Sequence, residues 1–144
     1  MATLPLHTIP GQSSRNPMSV ASNGQGNLCV SWRGSTNDWI YLVFNDDRNT
    51  PDWQWLEISI LPDTATKYAP AITYFGNRLF IAWINENNNV CYTFTDDNCK
   101  SYGQTVVLNN TQASGSPTLS GGESLLIGYT GTDGDDTLHV MTLG

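Results

Sequence analysis

Apolar and polar positions alternate with a period of two through most of this chain. In LFIAW (79–83) the residues Leu79, Ile81 and Trp83 share one face, and in VCYTFT (90–95) Val90, Tyr92 and Phe94 do. No stretch keeps a 3.6-residue period between capping signals, so the pattern predicts strands and few helices. Polar, Asn- and Gly-rich links such as INENNN and TGTDGDD read as hairpin loops between them.

The strands come in sets. NRLFIAWINENNNVCYTFTDD (77–97) reads as a second edition of NLCVSWRGSTNDWIYLVFNDD (27–47), and ESLLIGYTGTDGDDTLHVMTLG (123–144) as a third. Aligning Leu28, Leu79 and Leu125 puts Trp32, Trp83 and Tyr129 in one position. Asp38 then falls on Asn89, Trp39 on Val90, and Tyr41 on Tyr92 and His139. A proline opens a further short strand before each copy, at Pro17, Pro70 and Pro117, which are 53 and 47 residues apart. Self-similarity at such a period is the mark of repeat architectures, propeller blades among them. Three units are expected, at about 10–61, 62–108 and 109–144.

A fourth strand precedes each proline, in WLEISILPDTATKYAP and in QTVVLNNTQASGSP. LPLHTIPGQSSRNP, before Pro17, reads the same way, whereas the unit ending HVMTLG has three strands. The units are therefore cut one strand out of phase, as in propellers whose first and last blades latch together. Three blades are too few for a ring, which takes about four to eight. The expectation is an all-β, six-bladed propeller formed by a homodimer, with residues 2–9 of each chain completing the last blade of the other. A β-trefoil is the alternative, since it too has three units of this length. The adjacent Gln54-Trp55 does not reproduce the Q-x-W of trefoil lectins, and the offset of strands favours the propeller.

NRLFIAW, TGTDGDDTLHV and IPGQSS resemble bacterial β-propeller repeats of the kind related to sialidases and some propeller lectins. TDDNCKSY, with Thr95, Asp97, Ser101 and Tyr102, is similar to the sialidase Asp-box, S-x-D-x-G-x-x-W, although Cys99 stands at its glycine. NDDRNTPDW is one residue too long for that motif. The resemblance implies a propeller and places the box in the turn between the third and fourth strands of a blade.

Composition sets the functional limits. Charged residues are 13% of the chain, with only six basic side chains and a net charge of −7, which argues against nucleic acid and anionic membranes. No apolar run reaches the roughly 20 residues that span a bilayer, so no membrane insertion is expected. MATLPLHTIPGQSSRN lacks a basic start followed by an apolar core, so a cytoplasmic protein, or one released without a signal peptide, is expected. Cys29, Cys91 and Cys99 are an odd number without metal-ligand spacing, read as thiols. GTDGDDTL fits one copy of a calcium nonapeptide with its second glycine missing, and such sites need stacked copies, so no cofactor is expected, calcium being the lesser alternative.

Enzyme chemistry finds no support in the residues. Arg15, Arg33, Arg48 and Arg78 lack the context of a sialidase arginine triad, and Glu57, Glu86 and Glu123 fall in different positions of their units. His7 and His139 meet no nucleophile elbow. What recurs instead is an aromatic residue ending the second strand, beside polar loops rich in hydroxyls. Sugar recognition uses that combination, a ring face for the CH-rich side and hydrogen bonds for the hydroxyls. The expectation is a non-enzymatic, multivalent carbohydrate-binding propeller with glycans as partners. Its candidate residues are Trp32, Arg33, Asp38 and Trp39; Thr66, Lys67 and Tyr68; Trp83, Glu86 and Asn88; and Tyr129 and Asp133. Two further readings are a protein-interaction propeller without glycan binding and, more weakly, a sialidase-like hydrolase.

Overall fold

A computed structural model describes residues 6–45, 55–132 and 136–143. Those residues are all-β, in three antiparallel sheets. The first holds β1 (Ser19–Ser22), β2 (Leu28–Arg33), β3 (Ile40–Asn45) and β4 (Ser59–Ile60) in that spatial order. The second holds β5 (Ala71–Phe75), β6 (Arg78–Ile84), β7 (Val90–Thr95) and β8 (Val106–Leu108), again in chain order. The third has three strands, β9 (Thr118–Gly121), β10 (Leu125–Thr130) and β11 (Leu138–Thr142), with β10 in the middle.

Each sheet is a meander, the outcome expected when short alternating segments are joined by tight polar turns. The turns are built by the residues expected of them. Asn23 Oδ1 accepts the Gln25 and Asn27 amides, Asn85 Oδ1 those of Asn87 and Asn89, and Gly24, Gly76 and Asn88 take left-handed φ of 71°, 62° and 64°.

Alternation in the sequence becomes two-sided burial in the fold. Leu79, Ile81 and Trp83 point toward the first sheet and meet Cys29, Ile40, Leu42 and Phe44 there. Their strand neighbours Ala82, Ile84 and Val90 point the other way, onto Ile127 of the third sheet. Val30, Trp32 and Val43, on the outer face of the first sheet, gather Ile9, Leu28, Tyr41, Trp55 and Ile58. The opening strands of the sheets run beside one another, β1 against β5 and β5 against β9. There the Ile72 amide donates to Ser19 Oγ at 3.2 Å.

One expected equivalence is corrected by the ladders. The gapless alignment set Tyr41 on Tyr92, but Trp32 lies opposite Tyr41 while Trp83 lies opposite Cys91. The β6–β7 loop is a residue shorter than the β2–β3 loop, so Trp39 corresponds to Asn89 and Tyr41 to Cys91. Loop length sets the register, and a one-residue difference turns every later side chain to the other face. His139 does sit opposite Tyr129, as Tyr41 does opposite Trp32. Leu6–Ile9, the described part of the expected strand 2–9, pairs in no ladder; Ile9 packs on the first sheet.

Gly121 marks a close approach between the second and third sheets, because a Cβ there would run into the Tyr74 backbone carbonyl. A carbonyl fixed in a strand yields little. Gly121→Ala is expected to destabilise the protein by about 1–3 kcal/mol in urea unfolding, through overpacking.

Candidate functional site

The loops at one end of the three sheets are held together by backbone bonds across sheets. The Thr66 amide donates to Asp38 O and the Lys67 amide to Ile84 O, both at 2.8 Å. The Ala113 and Ser114 amides repeat the arrangement on Asn88 O and Thr130 O, at 2.8 and 2.9 Å. Ser14 meets the same place on the first sheet with its hydroxyl, which donates to Arg33 O at 2.6 Å. Connecting loops and hairpin loops therefore share this end.

Two clefts open there. A cleft of about 500 Å³ lies between Arg15 and the β2–β3 loop, lined by Arg33, Ser35, Thr36, Asn37 and Asp38. Asn37 organises it: its Oδ1 accepts the Trp39 amide at 3.0 Å and its Nδ2 donates to the Tyr41 hydroxyl at 3.1 Å. Gly34 fits beneath this amide, where a Cβ would collide with the Asn37 side chain. The Trp39 indole follows the loop, 48% exposed and tilted against Tyr41 at 6.4 Å between ring centres. Arg33 is fixed by one edge, its Nε donating to Thr66 O at 2.9 Å.

The second cleft, about 350 Å³, lies between Asp63, Thr64 and Ala65 and the loop Asn85–Asn87, with Trp83 and Cys91 in its wall. Its charges, Asp63 and Glu86, are acidic, whereas the first cleft carries two arginines against Asp38. The two clefts thus differ in charge.

The structure sorts the sequence candidates into groups. Arg33 and Asp38 line the first cleft with Trp39 beside it; Trp83 and Glu86 line the second. Trp32 is buried and stacked on Tyr41, with ring centres 5.7 Å apart and planes within 8°. Trp83 is also buried, at 3% exposure. Thr66 is committed to its own loop, its hydroxyl donating to Tyr68 O at 2.7 Å, and Tyr68 packs in the core between the second and third sheets. Lys67 Nζ donates to Asn88 Oδ1 at 2.6 Å, which joins two candidates to each other. Tyr129 stacks on His139 at 4.8 Å. Asp133 lies outside the described residues. Arg15, Ser35, Thr36 and Asn37 were missed; S-T-N-D before Trp39 was the available signal, a cluster of turn formers holding an aromatic in the open.

The segment similar to the Asp-box forms the turn after β7, where that resemblance placed it. Asp97 Oδ1 accepts the Thr95 hydroxyl and the Ser101 amide, both at 2.9 Å, and Thr95 Oγ1 accepts the Cys99 amide at 3.0 Å. Asn98 and Cys99 adopt left-handed φ of 56° and 69°, the conformation for which the motif uses glycine. The turn packs Cys99 and Tyr102 onto the core between the first two sheets and faces neither cleft.

Among the described residues no three His, Cys, Asp or Glu side chains gather as metal ligands. The three cysteines are free thiols, and burial pushes Cys91 and Cys99 up to about 11 and Cys29 well above its ordinary value. No protein-family model matches the chain, and no curated protein matches it in sequence.

Hydrogen bonds from the Ser101 hydroxyl and amide, ahead of those from Thr95 and Lys100, hold the Asp97 carboxyl below its ordinary value. A depressed carboxyl stabilises the fold above the unfolded-state pKa of about 4 and loses that contribution as pH falls through the folded value. Ser101→Ala should raise the Asp97 pKa in an NMR titration and flatten stability against pH below about 4; an unmoved pKa would contradict it. Thiols titrating near 11 hold on the order of one thiolate per thousand at pH 8. Iodoacetamide should therefore leave the native protein unlabelled over the time that consumes a free cysteine peptide, and label all three cysteines in denaturant, read by intact mass.

Proposed function

We propose that this protein is a carbohydrate-binding propeller without catalytic activity, in which the three sheets are three blades and a second copy of the chain supplies three more. One observation carries the functional part: a half-exposed Trp39 indole in the same β2–β3 loop that lines a cleft with two guanidiniums, two hydroxyls, an amide and a carboxylate. The indole offers an apolar plane for the CH-rich face of a pyranose, and the cleft offers donors and acceptors for its hydroxyls. The loop is braced by Asn37 and Gly34, so the arrangement stands before the ligand arrives and binding costs little in ordering it.

The two described clefts differ in charge, so the sites are a basic one and an acidic one rather than copies of a single specificity. Multivalency then comes from pairing chains, each bringing its own Trp39 site. The propeller is supported by three antiparallel meanders in chain order whose opening strands lie side by side, and by the loops that lace neighbouring sheets at one end.

A glycan array probed with the labelled protein tests this. Binding to a related set of glycans is expected. Trp39→Ala and Arg15→Gln, both at exposed positions, should each weaken it about ten-fold or more, the equivalent of about 1.4 kcal/mol, with thermal stability unchanged. Silence across the array from a folded protein would reject the reading and move the site to a protein partner.

A further inference from the structure

We propose that two copies of the chain close along a defined seam, in which His7–Ile9 of one copy runs antiparallel beside β11 of the other with Thr8 opposite the partner's His139. This rests on the two-copy closure proposed above and adds the surfaces and the register.

Among the described residues, both ends of the three-sheet stack leave apolar side chains in the open, at the β1 margin of the first sheet's outer face, whose Val30, Trp32 and Val43 are already covered, and along β11 of the third. Toward one end, Val20 is 56% exposed, while Ile72, in the corresponding place on β5, is 5%. Met18, Val20, Leu28, Val30 and Trp32 line an apolar cleft of about 510 Å³ there. Toward the other end, Leu138 and Val140 are 80% and 72% exposed, while Ile40 and Leu42, which hold those places on β3, are fully buried under the next sheet. Each bare face thus has the make-up of a face that another sheet of the same chain covers. A second copy related by a two-fold axis covers both at once and pairs the open edge of β11, which would otherwise invite uncontrolled strand addition.

The position of Ile9 fixes how. Leu61, just beyond β4, packs with Leu79, Ile81 and Trp83 of the following sheet, and Leu108, ending β8, packs on the core around Ile127. Ile9 packs in the same manner against Val30 and Trp32. It therefore sits where a fourth strand of a preceding sheet would end. The ladders then transfer directly. The Leu61 amide donates to Ile40 O at 3.0 Å, and Leu108 lies opposite Val90. The residue in that place on the third sheet is Leu138, so Ile9 belongs opposite the partner's Leu138 and Thr8 opposite the partner's His139.

Two details agree. When Leu61 turns its amide to β3, the carbonyl of Ile60 faces away from the ladder, and the corresponding carbonyl of Thr8 is free to accept the Trp55 indole N–H, which it does at 3.1 Å. The loop bonds from Thr66 to Asp38 O and from Ala113 to Asn88 O join the residue four before a proline to the residue two before a third strand. Ser13 is four before Pro17 and Asp136 two before β11, and Asp136 shares the left-handed φ of Asn88, 52° against 64°. The Ser13 amide should meet the partner's Asp136 carbonyl.

The test combines mass and disulfide trapping. The native protein should run at twice the 15.8 kDa of one chain. Thr8→Cys with His139→Cys creates a non-hydrogen-bonded cross-strand pair, whose Cα spacing of about 4.5 Å suits a disulfide. Mild oxidation should give a covalent dimer from that double variant and not from the wild type, either single variant or Thr8→Cys with Val140→Cys. Leu138→Glu with Val140→Glu changes exposed positions and should yield a folded single chain with unchanged β circular dichroism. A native mass of one chain would overturn the seam and the two-copy closure together. A dimer in which the double variant forms no disulfide between positions 8 and 139, or one that survives the glutamate pair, would overturn the seam alone and leave the closure standing.

Discussion

Both faces of each sheet carry apolar side chains, and this constraint governs everything else in the molecule. A sheet with one apolar face can rest on a single layer and turn its other face to water. The β5–β8 sheet cannot, because Ile81 and Trp83 face one neighbour while Ile84 and Val90 face the other. Such sheets stack side by side, and a finite stack ends in faces that resemble its interior. The exposed Leu138 and Val140 are the consequence at one end and the Val20 cleft is the consequence at the other.

Stacking also explains where the polar chemistry lies. With the faces committed to burial, hydroxyls, amides and charges collect in the loops, and neighbouring sheets bring those loops together at one end. Many of the groups serve to hold the loops: Ser14 on Arg33, Thr66 on Tyr68, Ser114 on Thr130. What is left for a ligand is the remainder, and around the β2–β3 loop that remainder includes a tryptophan which the fold does not bury. The turn after β7 leaves no such remainder. Asp97, Thr95 and Ser101 satisfy one another there, and the resemblance to an Asp-box describes a brace, with Cys99 in a backbone conformation better suited to glycine.

The strands were legible because a period of two is a local property. The segments read as strands after Pro17, Pro70 and Pro117 form β1, β5 and β9, whereas Leu6–Ile9 before Pro17 joins no ladder, and the shared face of Leu79, Ile81 and Trp83 is the face that packs. Register across hairpins was less legible. A one-residue shorter loop moved Cys91 into the place expected for Tyr92, because alignment by identity follows side chains and a ladder follows backbone spacing. Of the candidate residues, Arg33 and Asp38 line one cleft and Trp39 is exposed next to Asp38 in the chain, whereas Trp32 and Trp83 are buried: alternation marks a buried face and cannot say which aromatic will be left in the open.

The sequence by itself determined the all-β class and where strands fall along the chain, since alternation, turn residues and prolines act within a few residues of each other. Tertiary structure decided the rest. It placed Arg15 across a cleft from Asn37, joined Lys67 to Asn88, tied Ser19 to the Ile72 amide, and left Leu138 bare where Ile40 is covered. These depend on which sheet lies beside which, a matter of long-range packing between faces that look alike in sequence. Two equally apolar faces differ only in what is set against them.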